Sequence, residues 1–189
     1  MIFLISLYYK NNDLTTLLHA LHTIFSFYYM YDYPQLQYYI IYSSSIYFIA
    51  DLIISSYRRN IKLEYVLHHL ACIYGLLGYS IKYPNYIKEL CTVFTISEIT
   101  NIFLPFLNVR LSNNNNIPIP KFITKLHTVI IFTLMFFIFR FIVLVSWLYK
   151  QNRQFIYDIY PIMTILYILS TYWLYKCIRG IIKHMKKIL

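Results

Sequence analysis

The sequence predicts an all-α membrane protein built from six transmembrane helices, and three observations support this prediction. Apolar residues make up 59% of the chain and charged residues only 13%, whereas soluble domains carry about 25% charged residues. The apolar residues fall into segments of about 20 residues, the length that spans a bilayer. Ionisable residues inside these segments are costly in hydrocarbon, so they usually face a bundle interior and serve a function.

Polar or proline-containing stretches separate the apolar segments and place the helix boundaries. Residues 1–13 are expected to form a short lead-in at the membrane interface, because they lack the basic start and cleavage site of a signal peptide. Residues 14–183 form the transmembrane domain, and residues 184–189 form the end of a basic tail. The predicted spans are 14–31, 36–56, 64–80, 88–109, 122–148 and 156–178.

The basic residues predict the orientation of these spans. With six spans, four basic residues fall on one side of the membrane: Lys82, Lys88, Lys150 and Arg153. Twelve fall on the other side: Lys10, Arg58, Arg59, Lys62, Arg110, Lys121, Lys125, Lys176, Arg179, Lys183, Lys186 and Lys187. Cytoplasmic loops carry the excess of Lys and Arg, so both termini are predicted to be cytoplasmic. The net charge of +10 therefore needs no nucleic-acid partner, and no nucleic-acid-binding motif is present.

Several polar residues share one depth in the predicted bundle. Asp51 comes late in the second span, His68 and His69 come early in the third, and Glu98 lies midway along the fourth. All four therefore fall in the cytoplasmic half. Because unpaired polar groups are costly in lipid, this shared depth predicts one polar cavity that faces the cytoplasm. Arg140 is expected to lie apart, in the outer half, and to pair with a buried carbonyl group or with Glu98.

The adjacent histidines carry the candidate chemistry. Neighbouring side chains on a helix point about 100° apart, so one ring can face a cavity while another helix holds the second. An imidazole can act as a base or a nucleophile near neutral pH, and Asp51 or Glu98 could orient it. The alternative is an interhelical hydrogen-bond seam, such as the polar stripe of Thr95, Glu98 and Asn101. Imidazole and carboxylate ligands also suit zinc or iron, but we predict no metal site.

Six segments, in order, resemble conserved blocks of the TLC domain family, which includes ceramide synthases. They are LLHALHT, YFIADLIIS, YVLHHLACIY with the paired histidines, SEITNIFLPFLNVR, FFIFRFIV with Arg140, and YWLYKCIRG. The resemblance covers residues 14 to 183. It implies a six-helix TLC bundle around a cytoplasm-facing polar cavity, and it is greatest to the short TLC proteins that lack the ceramide-synthase accessory domain.

The resemblance implies a function in membrane lipid metabolism, in the endoplasmic reticulum or another endomembrane. Ceramide synthases transfer a fatty acyl group from acyl-CoA to a sphingoid amine through paired histidines. Here the catalytic candidates are His68, His69, Asp51 and Glu98. The substrate-binding candidates are His19, His22, Asn101 and Arg140, with a basic rim of Arg58, Arg59, Lys62 and Arg110 for the phosphates of CoA.

Two function hypotheses follow. The first is an acyltransferase that takes long-chain acyl-CoA as co-substrate and needs no other cofactor. The second is a non-enzymatic protein that binds membrane lipids and maintains their composition. Glu98 and Asn101 stand where ceramide synthases carry two aspartates, and Asn101 favours the second hypothesis.

Overall fold

Helices occupy nearly all of the residues that the structure describes. The structure is a computed structural model that describes residues 12–57, 62–104 and 125–186, and no strand occurs within these ranges. The principal helices are α1 (Asn12–Tyr29), α2 (Gln35–Tyr57), α3 (Leu63–Ile73), α4 (Ile87–Glu98), α5 (Lys125–Phe137) and α6 (Arg153–Met185).

Two of the helices contain a wider π-helical turn. Helix α3 continues through the π-helical segment Tyr74–Gly78 to a last turn at Tyr79–Lys82. Helix α5 continues through Ile138–Val143 to Leu144–Tyr149. Below, α3 and α5 denote the whole of 63–82 and 125–149. The sequence did not predict these π-helical segments, which are often found at functional sites.

Prolines mark two of the helix boundaries. Pro34 directly precedes α2, and Pro84 opens a 3-10 turn, Pro84–Tyr86, that leads into α4. A proline disfavours helical geometry in the residue before it, but its own fixed φ angle suits a first helical turn. Both positions agree with the breaks predicted from the sequence.

Two predicted spans differ from the helices in the structure or extend beyond the described residues. The fourth span was predicted to reach residue 109, which lies outside the described residues; α4 ends as an α-helix at Glu98 and continues as a 3-10 segment, Ile99–Ile102. The sixth span was predicted as 156–178, whereas α6 extends from Arg153 to Met185. Apolar content places the membrane-embedded part of a helix, but a helix can extend beyond it into polar sequence. Residues 1–11, 58–61, 105–124 and 187–189 lie outside the described residues.

The exposed surface of the bundle is strongly apolar. Within the described ranges, three helices are long and apolar enough to cross a membrane: Gln35–Tyr57, Leu126–Tyr149 and Arg153–Lys183. Large apolar side chains point outward, including Phe25, Ile46 and Ile53, each more than 60% exposed. In water such a surface would favour aggregation, whereas a bilayer solvates it.

The helices pack in a closed ring. Each helix contacts the next in the order α1, α2, α3, α6, α5 and α4, and α4 in turn contacts α1. Helix α2 also contacts α4 across the ring and divides it into two parts. One apolar core, which includes Ile41, Phe48 and Cys91, joins α2, α3 and α4. A second, which includes Leu90, Leu144 and Ile162, joins α3, α4, α5 and α6, where the candidate site lies.

Candidate functional site

A cavity lies among α3, α4, α5 and α6. It contains about 550 Å³ of empty space, including space continuous with the outside. Its lining has a polar part, formed by His68, Ser97, Glu98 and Arg140. The remaining lining is apolar apart from the thiol of Cys72, and comprises Ala71, Cys72, Gly75, Leu76, Leu90, Val93, Phe94, Ile159, Ile162, Met163 and Leu166. The cavity therefore combines reactive polar groups with a largely apolar lining.

Both π-helical segments contribute to this lining. Gly75 and Leu76 belong to the segment in α3, and Arg140 belongs to the segment in α5. A π-helical turn holds an extra residue, so it changes the direction in which the following side chains point. This is how an arginine within a strongly apolar helix comes to face the cavity.

The paired histidines face different partners, as the 100° rotation between neighbouring residues predicts. His68 lines the cavity, whereas His69 points to α2 and does not line it. Both side chains are buried, at 7% and 4% exposed. Their ring centroids are 5.5 Å apart and the rings are nearly perpendicular. The two residues therefore occupy different chemical environments in spite of their adjacency.

His69 is held on both ring nitrogens. Its Nδ1 lies 3.0 Å from the backbone oxygen of Tyr65, and its Nε2 lies 2.9 Å from Oδ2 of Asp51. The hydroxyl of Tyr65 donates a hydrogen bond to the same carboxylate oxygen. A carbonyl and a carboxylate both accept hydrogen bonds, so acceptor groups engage both nitrogens of His69. His69 is therefore not placed to act as base or nucleophile on a group in the cavity.

His68 has a different set of neighbours. Its Nε2 lies 3.7 Å from Sγ of Cys72, one helical turn further along α3. Its ring packs edge-on against Trp173 of α6 at 4.9 Å between centroids, and against Phe48 of α2 at 6.1 Å. Aromatic rings thus fix the orientation of the His68 imidazole, while its nitrogens remain beside a thiol.

Glu98 is the buried acid of the cavity, with only 1% of its surface exposed. Asn101 donates a hydrogen bond of 2.8 Å to Oε2 of Glu98. His19 of α1 lies 3.8 Å from the same oxygen, and its ring stacks on Tyr47 at 4.0 Å. These contacts bring the predicted residues His19, Glu98 and Asn101 together.

Arg140 joins this polar layer and lines the cavity with His68 and Glu98, so the prediction that it lies apart from them was wrong. Its Nη2 donates to the carbonyl oxygen of Ser97 at 3.0 Å, its Nη1 to Oγ of Ser170 at 3.3 Å, and its Nε to Oγ1 of Thr100 at 3.4 Å. The expected pairing with a buried carbonyl is confirmed.

The structure separates other residues that the sequence placed together. Asp51 and His69 lie between α2 and α3 and do not line the cavity with His68 and Glu98, contrary to the prediction of one shared cavity. His22 packs against Tyr39, with ring centroids 5.1 Å apart, and is also absent from the lining. Lys62 is exposed at the start of α3. Arg58, Arg59 and Arg110 lie outside the described residues.

Sequence reasoning missed four residues near the histidines: Phe48, Tyr65, Cys72 and Trp173. Helical spacing could have suggested two of them. Cys72 follows His68 by four residues, and Tyr65 precedes His69 by four, so each pair shares a helix face. Phe48 and Trp173 come from other helices, and no pattern near the histidines indicates them.

No group of three or more His, Cys, Asp or Glu side chains is placed to hold a metal ion within the described ranges. The carboxylates that could bind a metal near the histidines instead accept hydrogen bonds from other side chains. Asp51 accepts from His69 and Tyr65, and Glu98 accepts from Asn101. The chemistry that these residues can perform is therefore proton transfer, nucleophilic attack and hydrogen bonding to a carbonyl group.

These features define a membrane-embedded helical bundle with a buried polar cavity. The family model of the TLC domain matches residues 3–179, and the chain belongs to this family. It is therefore an integral membrane protein with a lipid-related function. No match was found among curated proteins or among solved structures.

Proposed function

We propose that this protein is a six-span membrane acyltransferase that takes its acyl group from a long-chain acyl-CoA. The observation that carries the proposal is the cavity itself, in which His68, Glu98 and Arg140 are continuous with a largely apolar lining. An acyl chain would lie along Leu90, Ile162 and the other apolar residues. Its thioester carbonyl would then lie beside His68.

The division between the histidines assigns their roles in this proposal. His68 is the reactive residue, acting as base or nucleophile, because its ring lies in the cavity. His69 is a positioning residue, because Asp51 and the Tyr65 carbonyl engage both of its nitrogens. Arg140 supplies a buried positive charge that would stabilise the oxyanion formed when the thioester carbonyl is attacked.

The membrane orientation belongs to the same proposal. Nζ of Lys176 lies 2.7 Å from Oε1 of Glu64, which connects the start of α3 to the later part of α6. This contact places both regions at the same end of the bundle, and the distribution of basic residues predicts that this end is cytoplasmic. Lys62 at the start of α3, with Arg58, Arg59 and Arg110, would then face cytoplasmic CoA. The membrane is the endoplasmic reticulum or another endomembrane.

Replacement of the reactive histidine tests this function. We expect His68→Ala to reduce CoA release from a long-chain acyl-CoA by about 100-fold or more, the usual contribution of a positioned base. The measurement is free thiol released by purified protein in lipid nanodiscs, with amines and lysolipids offered as acceptors. His127→Ala is the matched control, because His127 is an exposed residue of α5 that does not line the cavity.

The second candidate function is lipid binding without turnover. Asn101 favours it, because ceramide synthases carry an aspartate at the position of Asn101. In this chain the Asn101 amide instead donates a hydrogen bond to Glu98. In this case wild-type protein would release no more CoA than the His68→Ala variant, and both would bind the same lipids. That result would reject the acyltransferase and leave the cavity as a lipid-binding site.

A further inference from the structure

We propose that Cys72 is the nucleophile that carries the acyl group, with His68 as its general base. This inference rests on the proposed acyl transfer and specifies which atom receives the acyl chain. It gives His68 the role of base rather than nucleophile. The family resemblance implies an acyl-histidine, so the proposal is specific to the residues of this chain.

The geometry that supports it is a thiol and an imidazole in one buried cavity. Sγ of Cys72 lies 3.7 Å from Nε2 and 3.9 Å from Nδ1 of His68. The two residues are 7% exposed, and both line the cavity with Arg140. They are four residues apart on α3, so they share one face of the helix. A thiol within reach of an imidazole is the arrangement that activates a cysteine nucleophile.

The remaining contacts of His68 strengthen this assignment. The His68 side chain lies within hydrogen-bonding distance of the Cys72 thiol, and its ring also packs against the aromatic rings of Phe48 and Trp173. A base needs a proton-bearing group within reach, and the thiol provides it. By contrast, His69 is engaged by Asp51 and cannot replace His68.

The reaction balances with two substrates, acyl-CoA and an amine or hydroxyl acceptor. A nitrogen of His68 takes the proton from the Cys72 thiol, and the thiolate sulfur attacks the thioester carbonyl carbon. A new bond forms between that carbon and Sγ, and the bond from the carbon to the sulfur of CoA breaks. His68 then protonates the departing CoA thiolate. An amine or hydroxyl acceptor, deprotonated by His68, attacks the acyl-cysteine and restores the thiol.

The chain offers internal controls for this proposal. Cys91 is also fully buried on α4, but its thiol donates to the carbonyl oxygen of Gln37 and it does not line the cavity. Cys177 on α6 is partly buried and also lies outside the lining. Thiol chemistry in general would modify the more accessible Cys177, whereas the proposed mechanism selects Cys72.

The test is mass spectrometry of the purified protein after incubation with palmitoyl-CoA and no acceptor. We expect an acyl adduct on the peptide that contains Cys72, and neutral hydroxylamine should remove it because it is a thioester. Cys72→Ala should abolish the adduct and lower CoA release by about 100-fold, whereas Cys91→Ala should retain both. The position of the adduct in wild-type protein identifies the modified residue even if a variant fails to fold.

Each other outcome has a defined meaning. An adduct on His68, or full CoA release by folded Cys72→Ala, would overturn the role of Cys72 and leave acyl transfer intact. An adduct on Cys177 alone would show non-specific acylation and also reject the proposal. If wild-type protein forms no adduct and releases no CoA with any acceptor tried, the proposed acyltransferase function itself fails.

Discussion

At the scale of single residues, the site is defined by which polar atoms already have partners. Asp51 and the Tyr65 carbonyl engage His69, whereas His68 faces the cavity beside Cys72. Phe48 lies close to both histidines, with its ring centroid 5.1 Å from His69 and 6.1 Å from His68. Phe48 therefore packs against both the cavity-lining histidine and the histidine that pairs with Asp51.

Arg140 is the residue whose loss should most affect stability. It is 5% exposed, and its guanidinium donates three hydrogen bonds to groups on α4, on the 3-10 segment that follows α4, and on α6. We expect Arg140→Ala to lower the free energy of unfolding by about 1–3 kcal/mol, because it leaves the buried groups that accept from Arg140 without a donor. Unfolding in mixed micelles with increasing denaturing detergent measures this change.

The matched control is Arg153→Ala, since Arg153 is exposed at the start of α6. Its removal should change the free energy of unfolding by less than about 0.5 kcal/mol, as is usual for surface positions. Equal stability of the two variants would contradict the assignment of Arg140 to a buried polar layer.

At the scale of helices, the π-helical segments shape the cavity. The segment in α3 contains Gly75, which lines the cavity, and a Cβ atom added there would lie 3.4 Å from Cγ1 of Ile162. That distance is an ordinary van der Waals contact, so alanine fits at this position. A larger side chain would occupy space that we assign to the acyl chain.

Gly75→Phe should therefore impair long chains more than short ones. We expect CoA release from palmitoyl-CoA to fall by about 10-fold or more, since loss of burial for two methylene groups already costs about 1.6 kcal/mol. Release from butanoyl-CoA should change much less. Gly180→Phe is the control, because nothing lies within 4 Å of a Cβ atom added there. Equal losses for the two substrates would show that the chain lies elsewhere.

The ion pair between α3 and α6 should contribute little by comparison. Lys176 is 42% exposed and Glu64 is 21% exposed on their side chains, and surface pairs contribute about 0–1 kcal/mol. The ion pair is informative about geometry instead, because it shows which ends of α3 and α6 lie on the same side of the bundle.

At the scale of the whole molecule, the ring of helices encloses the site within the bilayer. We predict that tags fused to the two chain ends both lie in the cytoplasm, because twelve basic residues fall on that side and four on the other. Protease accessibility of each tag in sealed microsomes measures this, and a lumenal tag on a loop provides the protected control. Tags on opposite sides would require an odd number of spans.

Much of the architecture could be predicted from the sequence. Apolar segments and the prolines at positions 34 and 84 gave the helix order, because hydropathy and proline geometry are local properties of the chain. The site was predicted only in part. Arg140 was predicted to lie apart but lines the cavity, and His68 and Glu98 line it as predicted. Asp51 and His69 were predicted to line it with them, because residue counting reports depth but not the face that a helix presents.

The sequence by itself determined the class of protein, the family and the adjacency of two histidines that must point in different directions. Only the tertiary structure decided which histidine faces the cavity, where Arg140 lies, and that Cys72 shares the cavity with His68. These features depend on the rotation and axial shift of each helix against its neighbours. Packing between segments distant in the sequence sets both, and no local pattern of residues encodes them.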